Sequence, residues 1–245
     1  DKVYGNVRKE IQSGGVKGAL IERAVVTKKR LSTGQASLVD HLFFQALGKK
    51  VVGKIREQLA TRVGANLEVL IVGSAKADPE ALDFFHQVLD IATFEGYGAT
   101  ECAPLIAANH LGGRRVGTVG RPLIKVRIID ETGQEIGYGD PRGTYRPTGE
   151  KIGELWASGP NVMKGYLNDP AQTERALVQH DGETWYRTGD LFSMDGEGFL
   201  TFRGRVGRQF KLRNGEFVNP ELLERIFSRA SLVRDSFPHI GGCCS

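Results

Sequence analysis

Two short stretches carry residue types that could do chemistry together. The first is Phe94-Glu95-Gly96-Tyr97-Gly98-Ala99-Thr100-Glu101-Cys102-Ala103-Pro104. Gly96 and Gly98 flank Tyr97, so the backbone can turn sharply there and a ligand can approach it closely. The Tyr97 ring can lie against a flat group such as a purine. Thr100 can donate a hydrogen bond to a phosphate oxygen. Glu101 can hold a hard cation such as Mg²⁺, which usually shares its oxygen ligands with a nucleotide's phosphates. The second stretch is Trp185-Tyr186-Arg187-Thr188-Gly189-Asp190. A carboxylate fixed beside a glycine can accept two hydrogen bonds from vicinal hydroxyls such as those of ribose. Downstream, Arg205 suits a ribose or a phosphate. Each stretch also has a plain structural reading: a glycine-rich surface turn with one exposed tyrosine, and an Asx-type turn at Asp190.

The surrounding pattern predicts the elements that must position these groups. Residues 1 to about 63 read as helices, with Val3, Val7, Ile11 and then Ala19, Leu20, Ala24 near helical spacing and a break at Ser13-Gly14-Gly15. A second amphipathic segment, Leu38, Leu42, Phe43, Ala46, Leu47, is predicted to end at Gly48, and a third runs through Val51, Ile55 and Leu59 to Gly64. All three apolar stripes are expected to face a core. Leu67–Val72 reads as a buried strand of a parallel sheet. It runs into Gly73-Ser74-Ala75, small residues at the strand end where open α/β sheets bind ligands; a plain strand-to-helix turn fits them as well. Asp78-Pro79-Glu80 supplies an N-cap, a first-position proline and first-turn acid for the next helix. His86, next to that helix's buried face, is expected to be structural rather than catalytic.

After Pro104 the glycine-punctuated chain predicts short strands at Lys125–Asp130 and Glu154–Gly159, a turn-rich insertion over 137–151, a helix start at Asp169-Pro170, and a tight hairpin at Asp195-Gly196-Glu197-Gly198. Strands at this spacing imply a small β-barrel or sheet. A further helix is predicted over Glu221–Ala230.

The bulk numbers bound the class. The 245 residues are 40% hydrophobic and 25% charged, ordinary for a soluble domain or two. No apolar run reaches the roughly 18 residues of a membrane span, and no signal peptide is visible. Three cysteines, two of them adjacent at Cys243 and Cys244, make no disulfide scaffold and point to a reducing, cytoplasmic setting. The terminal Cys-Cys-Ser lacks a prenylation pattern. The net charge of +4 is uneven: 13 Lys and Arg against five Asp and Glu give residues 1–64 about +8. That excess is a solvated helical face, an attractor of anionic substrates, or a peripheral contact with an anionic membrane. Nucleic acid is not expected as a partner, because aromatics do not interleave with these charges.

The motifs and their order resemble one family. Tyr97-Gly98-Ala99-Thr100-Glu101 is similar to the Y-G-x-T-E motif of the adenylate-forming enzymes, which include acyl-CoA synthetases, peptide-synthetase adenylation domains and luciferases. Gly73-Ser74-Ala75 resembles part of their G-G-[SA]-A-P motif, with Val72 where the first glycine is usual and Lys76 where the proline is usual. Gly153–Gly159 with Val162–Asn168 resembles G-E-L-x-x-x-G-x-x-V-x-x-G-Y-x-N, a segment read as structural, and Tyr186–Asp190 matches [YF]-x-T-G-D. Phe202–Glu224 resembles the hinge between large and small domains, in the version seen in long-chain acyl-CoA synthetases. Gly207 stands where that family usually has a pivot Asp or Lys.

The resemblance implies an α/β fold: the C-terminal part of a large adenylate-forming domain, with a parallel α/β sheet over residues 1–115 and a small β-barrel over 116–204. The hinge and the start of a small α+β domain would occupy 205–245. It also implies a two-step reaction, in which a fatty acid and ATP give acyl-adenylate and the coenzyme A thiol then takes the acyl group. Thr100 would touch the α-phosphate and Glu101 would hold Mg²⁺. Gly73, Ser74, Ala75, Gly96, Tyr97 and Gly98 would line the adenine pocket, and Asp190 and Arg205 would bind ribose or phosphate. Gly215 and Glu216 would enter the site in the thioester step. The 245 residues contain neither the family's Ser/Thr/Gly-rich phosphate loop nor its C-terminal catalytic lysine. The chain is therefore expected to be part of a larger enzyme and inactive alone. The alternatives are a fatty-acyl-AMP ligase that loads a carrier protein, and a non-catalytic nucleotide-binding remnant.

Overall fold

The computed structural model describes residues 2–73, 78–110, 112–207, 210–211 and 217–218. The chain divides into two compact units, Asp1–Tyr97 with Asn109–Gly117, and Gly98–Ala108 with Thr118–Ser245.

The first unit is helical at its start. Helices α1 (Lys2–Gln12) and α2 (Gly15–Ser32) are separated at Gly14 and Gly15, whose φ values of 72° and 77° lie in the left-handed region that glycine enters without strain. Gly18 lets the two helices meet closely, because a Cβ there would lie 2.7 Å from the Glu10 carbonyl oxygen. Helix α3 (Leu38–Phe43) opens on a reciprocal cap: the Asp40 amide donates to Ser37 Oγ at 3.2 Å, and the Ser37 amide donates to the Asp40 carboxylate at 3.1 Å. A π-helical turn (Phe44–Gly48) then leads directly into α4 (Lys49–Val63).

The expected stop at Gly48 does not occur. Its φ and ψ of −59° and −41° are helical, and the Phe44 ring fills the space a side chain would need. The expected core-facing stripe over this segment is also corrected: Leu38 is 84% exposed and Leu42 71%. The core instead gathers Val3 and Val7 from α1, Val52, Ile55 and Leu59 from α4, and Phe84, Phe85, Val88, Leu89 and Ile91. Three- and four-residue spacings put the α1 and α4 sets each on one helix face, and Ile91 joins from the link into β2. Burial of each such side chain stabilises by about 1.5–3 kcal/mol.

Strand β1 (Val69–Val72) pairs in parallel with β2 (Ala92–Gly98), Val69 opposite Ala92 and Val72 opposite Glu95. The crossover holds α5 (Pro79–Asp83) and a second π-helical turn (Phe84–Val88). As the sequence predicts, Asp78 caps α5, accepting from the Glu80 amide at 3.1 Å. The expectation of a buried β1 is corrected. Val69 is 46% exposed and Ile71 72%, while Leu70 and Val72 are only partly covered. Successive strand side chains point to opposite faces, and among the described residues the face of β1 that carries Val69 and Ile71 is open.

The second unit is mostly antiparallel sheet. A 3₁₀ turn (Thr100–Cys102) leads to β3 (Leu105–Ala108), which pairs with β4 (Arg121–Pro122). The larger sheet contains β5 (Lys125–Ile129), β6 (Glu135–Gly139), β7 (Tyr145–Arg146), β8 (Gly153–Ser158), β9 (Leu177–His180), β10 (Glu183–Met194) and β11 (Leu200–Arg205). Its order is β11-β10-β8-β5-β6-β7, with β9 also on β10. Among the described residues no pairing joins β7 to β11, so the expected barrel is an open sheet; closure would need those two edges to meet. The expected turn-rich insertion at 137–151 holds strands β6 and β7. Gly137 and Gly139 are packing glycines, since a Cβ on Gly137 would lie 2.6 Å from Thr148 Cγ2 and one on Gly139 2.9 Å from Met194 Cε, whereas Gly143 and Gly149, with φ of 90° and 62°, sit in turns as expected.

The predicted helix start appears as α6 (Pro170–Ala176), where Asp169 accepts from the Gln172 amide at 2.9 Å. The predicted hairpin joins β10 to β11, with Asp195 accepting from the Glu197 and Phe199 amides. Val126, Ile128, Leu155, Trp185, Phe192, Met194 and Leu200 are fully buried in this unit. Two short strands, β12 (Phe210–Lys211) and β13 (Phe217–Val218), pair antiparallel. The helix predicted over 221–230, along with Gly215 and Glu216, lies outside the described residues.

Candidate functional site

The candidate residues fall on both units. In the first, Gly73 follows β1 directly, and Gly96 and Tyr97 lie near the end of β2. A Cβ on Gly73 would sit 3.7 Å from the Gly96 carbonyl oxygen, an ordinary contact, so packing does not require glycine at 73. Ser74 and Ala75 lie outside the described residues. Tyr97 is half-buried. The predicted sharp turn is not at the flanking glycines, which continue the strand. It comes later, at Ala103, whose φ of 45° and ψ of 57° close the 3₁₀ turn.

Gly98 is required for another reason. In the second unit a Cβ on Gly98 would lie 1.8 Å from the Pro104 carbonyl oxygen, so only glycine permits the chain to return this closely. The Ala99 amide donates to that same oxygen at 2.8 Å. Thr100 and Glu101 are thereby placed on a short turn whose base is fixed by backbone bonds.

The segment after β8 clamps this turn. The Met163 amide donates to the Glu101 carbonyl at 2.8 Å, and Asn161 Nδ2 donates to the carbonyls of Cys102 and Leu105. Tyr166 then donates its hydroxyl to Glu101 Oε1 at 2.6 Å. The Tyr186 hydroxyl lies close enough to the same carboxylate to act on its charge. Burial pushes the Glu101 carboxyl up, but donation from Tyr166, together with the nearby backbone amide and Tyr186 hydroxyl, outweighs this and leaves it below the usual carboxylate range. The hydrogen bond to Glu101, reinforced by burial, pushes Tyr166 up to about 12. Burial and then the Glu101 charge raise Tyr186 further. At neutral pH the group is one carboxylate anion held by the neutral Tyr166 phenol, with the neutral Tyr186 phenol beside it. Thr100 itself is exposed, its side chain open to solvent.

Tyr186 begins the second motif. It lies four residues before Asp190 on β10, about 13 Å along a regular strand, although the register shifts between Arg187 and Leu191. Thr188 Oγ1 donates to the Leu155 carbonyl at 2.8 Å and accepts from the Asp190 amide at 3.1 Å. Glu154 accepts from the Gly189 amide at 3.1 Å and from Arg187 Nη2 at 3.0 Å. The backbone here is a braced kink, with Gly189 at a φ of 70°. It turns the Asp190 side chain, 8% exposed, toward β11, where Arg205 Nε lies 3.0 Å from Oδ1. Asp190 and Arg205 are register partners across the hairpin. Both were predicted to meet a ribose or phosphate; the fold also pairs them with each other.

Tyr166 and Asn161, which hold the turn that carries Glu101, were not among the expected site residues. Their segment reads as strand, turn and buried aromatic, and nothing local indicates that Tyr166 reaches residue 101. Cys102 is fully buried, and burial pushes its thiol up to about 12, so it has no reactive role. His86 is mostly buried and burial lowers its pKa, in keeping with a structural role.

Comparison with known proteins bears on the whole chain. The AMP-binding enzyme family model matches residues 28–167. Long-chain-fatty-acid–CoA ligase 6 of Rattus norvegicus is 34% identical over 205 residues, covering 83% of this chain and 26% of the relative. The peroxisomal long chain acyl-CoA synthetase 7 of Arabidopsis thaliana is 30% identical over 242 residues, covering 98% of this chain and 32% of the relative. The chain thus spans about a quarter to a third of the length of these curated relatives. Among solved structures, O-succinylbenzoate coenzyme A synthetase of Bacillus subtilis, in complex with AMP, aligns at a TM-score of 0.58 and 25% identity, covering 76% of this chain and 36% of that one. MatB of Rhodopseudomonas palustris aligns at 0.53 and 29% identity, covering 71% and 33%. The match over more than half of its residues, in the same order as its motifs, shows that the chain belongs to the AMP-binding enzyme family.

Proposed function

We propose that this chain supplies the nucleotide-facing part of an AMP-forming ligase that activates a long-chain carboxylic acid as its acyl-adenylate and passes the acyl group to coenzyme A. The observation that carries the reading is the anchored Glu101 carboxylate. It is held as an anion by the Tyr166 hydroxyl, and the neighbouring Tyr186 shares strand β10 with the braced Asp190. One strand thus links a candidate metal-binding carboxylate to a candidate ribose-binding one.

Each residue has a stated task. Tyr97 stacks on the adenine, with Gly73, Ser74, Ala75, Gly96 and Gly98 leaving room for it. Asp190 accepts from the ribose hydroxyls, and Arg205 neutralises the carboxylate or turns to a phosphate. Thr100 donates to the α-phosphate. Glu101 holds Mg²⁺. Among the described residues no three His, Cys, Asp or Glu side chains cluster, which suits an ion that takes one protein carboxylate and completes its shell with phosphate oxygens and water. The ion would supply charge neutralisation as the acid attacks the α-phosphate. In this reading residues 1–115 and 116–204 belong to the large domain, and 205–245 form the hinge and the start of the small one. Gly207, with a φ of 77°, supplies the backbone freedom there.

The long-chain class is supported by the names of the relatives and by the sequence Lys211-Leu212-Arg213-Asn214-Gly215-Glu216-Phe217-Val218. A peripheral contact with an anionic membrane on the cytoplasmic side is part of the same reading. It is supported by the basic residues 1–64 and the exposed Leu38 and Leu42. Among the described residues no helix is long and apolar enough to cross a membrane.

The test is ATP–pyrophosphate exchange with a panel of fatty acids, run on the 245 residues and on a longer protein that contains them. Exchange is expected from the longer protein, and little or none from the 245 residues, which lack the phosphate-loop and lysine motifs. Adenosine nucleotide binding to the 245 residues should weaken tenfold or more in Asp190→Ala, as expected for a hydrogen bond to a charged group worth about 1.5–3 kcal/mol. Binding indifferent to Asp190→Ala and to Tyr97→Ala would overturn the assignment. Transfer of the acyl group to a carrier protein, with none to coenzyme A, would change the acceptor.

A further inference from the structure

The first unit contains a cavity of about 620 Å³ between α1, α2 and α4. Small-molecule sites typically enclose ~300–1,000 Å³, so the space is large enough for a ligand. None of its lining residues lies on β1 or β2, which carry the candidate adenine-site residues of this unit. Its floor is apolar, with Leu20, Ile21 and Val51 partly exposed over the buried Val7 and Ile55.

Its rim is cationic. Lys9, Lys17 and Lys54 line it with a single acid, Glu10. Glu10 is already engaged by Lys17 at 2.9 Å. Neither Lys9 nor Lys54 forms an ion pair with a described residue. Two uncompensated ammonium groups therefore stand beside an apolar trough. A neutral ligand would leave the charges unused, and a compact polyanion would leave the trough wet. A single-chain amphipathic anion satisfies both halves: its tail removes apolar surface from water, and its head meets the lysines.

We propose that this cavity is a second ligand site, separate from the strand-borne one, that binds a long-chain amphipathic anion as a free carboxylate or as a coenzyme A thioester. The proposal stands on the cavity alone and does not require the ligase reading, although the two meet in the class of ligand.

The experiment is calorimetric titration of the 245-residue chain with dodecanoate, dodecanoyl-CoA and the uncharged dodecanol. Two variants accompany it: Val51→Trp, which fills the trough, and Lys54→Glu, an exposed change that reverses one rim charge. Circular dichroism checks that each is folded. Binding of either anion, at least tenfold tighter than dodecanol and weakened at least fivefold by Lys54→Glu and by Val51→Trp, supports the site; the anion that binds identifies the source. Three outcomes overturn it: no binding of either anion, equal binding of dodecanol, or binding unchanged in Lys54→Glu. Pyrophosphate exchange is measured separately, so loss of the ligase reading leaves this result intact.

Discussion

Replacement of Tyr166 by Phe removes one oxygen and tests the central contact of the site. The Tyr166 hydroxyl donates to Glu101 Oε1 at 2.6 Å, the short distance of a charge-assisted bond. Such bonds contribute about 1.5–3 kcal/mol net. The expected loss lies toward the lower end, because Glu101 is only partly buried and its nearby amide and Tyr186 still favour the charged form. Both tryptophans, Trp156 and Trp185, lie on β8 and β10, so tryptophan fluorescence follows the unfolding of the second unit alone. Urea unfolding at pH 7 should show a destabilisation of about 1.5–2 kcal/mol with an unchanged slope. Glu101→Gln and the double variant complete a cycle. A coupling energy of at least about 1 kcal/mol is expected if the hydroxyl and the charge act on each other. A Tyr166→Phe variant as stable as the parent, with no coupling to residue 101, would refute the claim that these two residues form one unit.

Three further outcomes follow from the geometry. Gly98→Ala should destabilise the second unit by more than the roughly 1–3 kcal/mol of ordinary overpacking, because its Cβ would meet the Pro104 oxygen at 1.8 Å; the same fluorescence transition reads it. Cys102 should resist iodoacetamide at pH 8 until the unit unfolds, as followed by mass spectrometry of its peptide, since the thiol is buried and pushed up to about 12. Asp40 is held below its ordinary value by hydrogen bonds from Ser37 and by Arg30, so its stabilising effect is present above the unfolded pKa of about 3.9 and disappears as pH falls through the lower folded value. Ser37→Ala should therefore weaken the helical signal at pH 7 more than at pH 2, measured by circular dichroism.

Much of the local structure was legible because it depends on neighbours in sequence. Asp78-Pro79-Glu80 and Asp169-Pro170 place a capping oxygen and a proline where a helix start needs them, and helices begin there. Gly14 and Gly15 break the first helix because both adopt positive φ. Asp195 and Gly198 make the hairpin that brings Arg205 opposite Asp190. Where prediction failed, the deciding partner was remote. Gly137 and Gly139 read as turn formers, yet they are small because Thr148 and Met194 press on them. Leu38 and Leu42 follow a helical period, and periodicity does not show whether a second surface covers that face.

The amino-acid order by itself determined the chemical inventory: which carboxylates, hydroxyls and rings are present, and the motif succession that marks the family. Side-chain chemistry and backbone preference are properties of short windows, so a short window reveals them. Only the tertiary structure decided that Tyr166 grips Glu101 with Tyr186 beside it, and that lysines from α1 and α4 ring an apolar cavity. Contacts between residues distant along the chain depend on how packed elements fill space, and no local spacing encodes that.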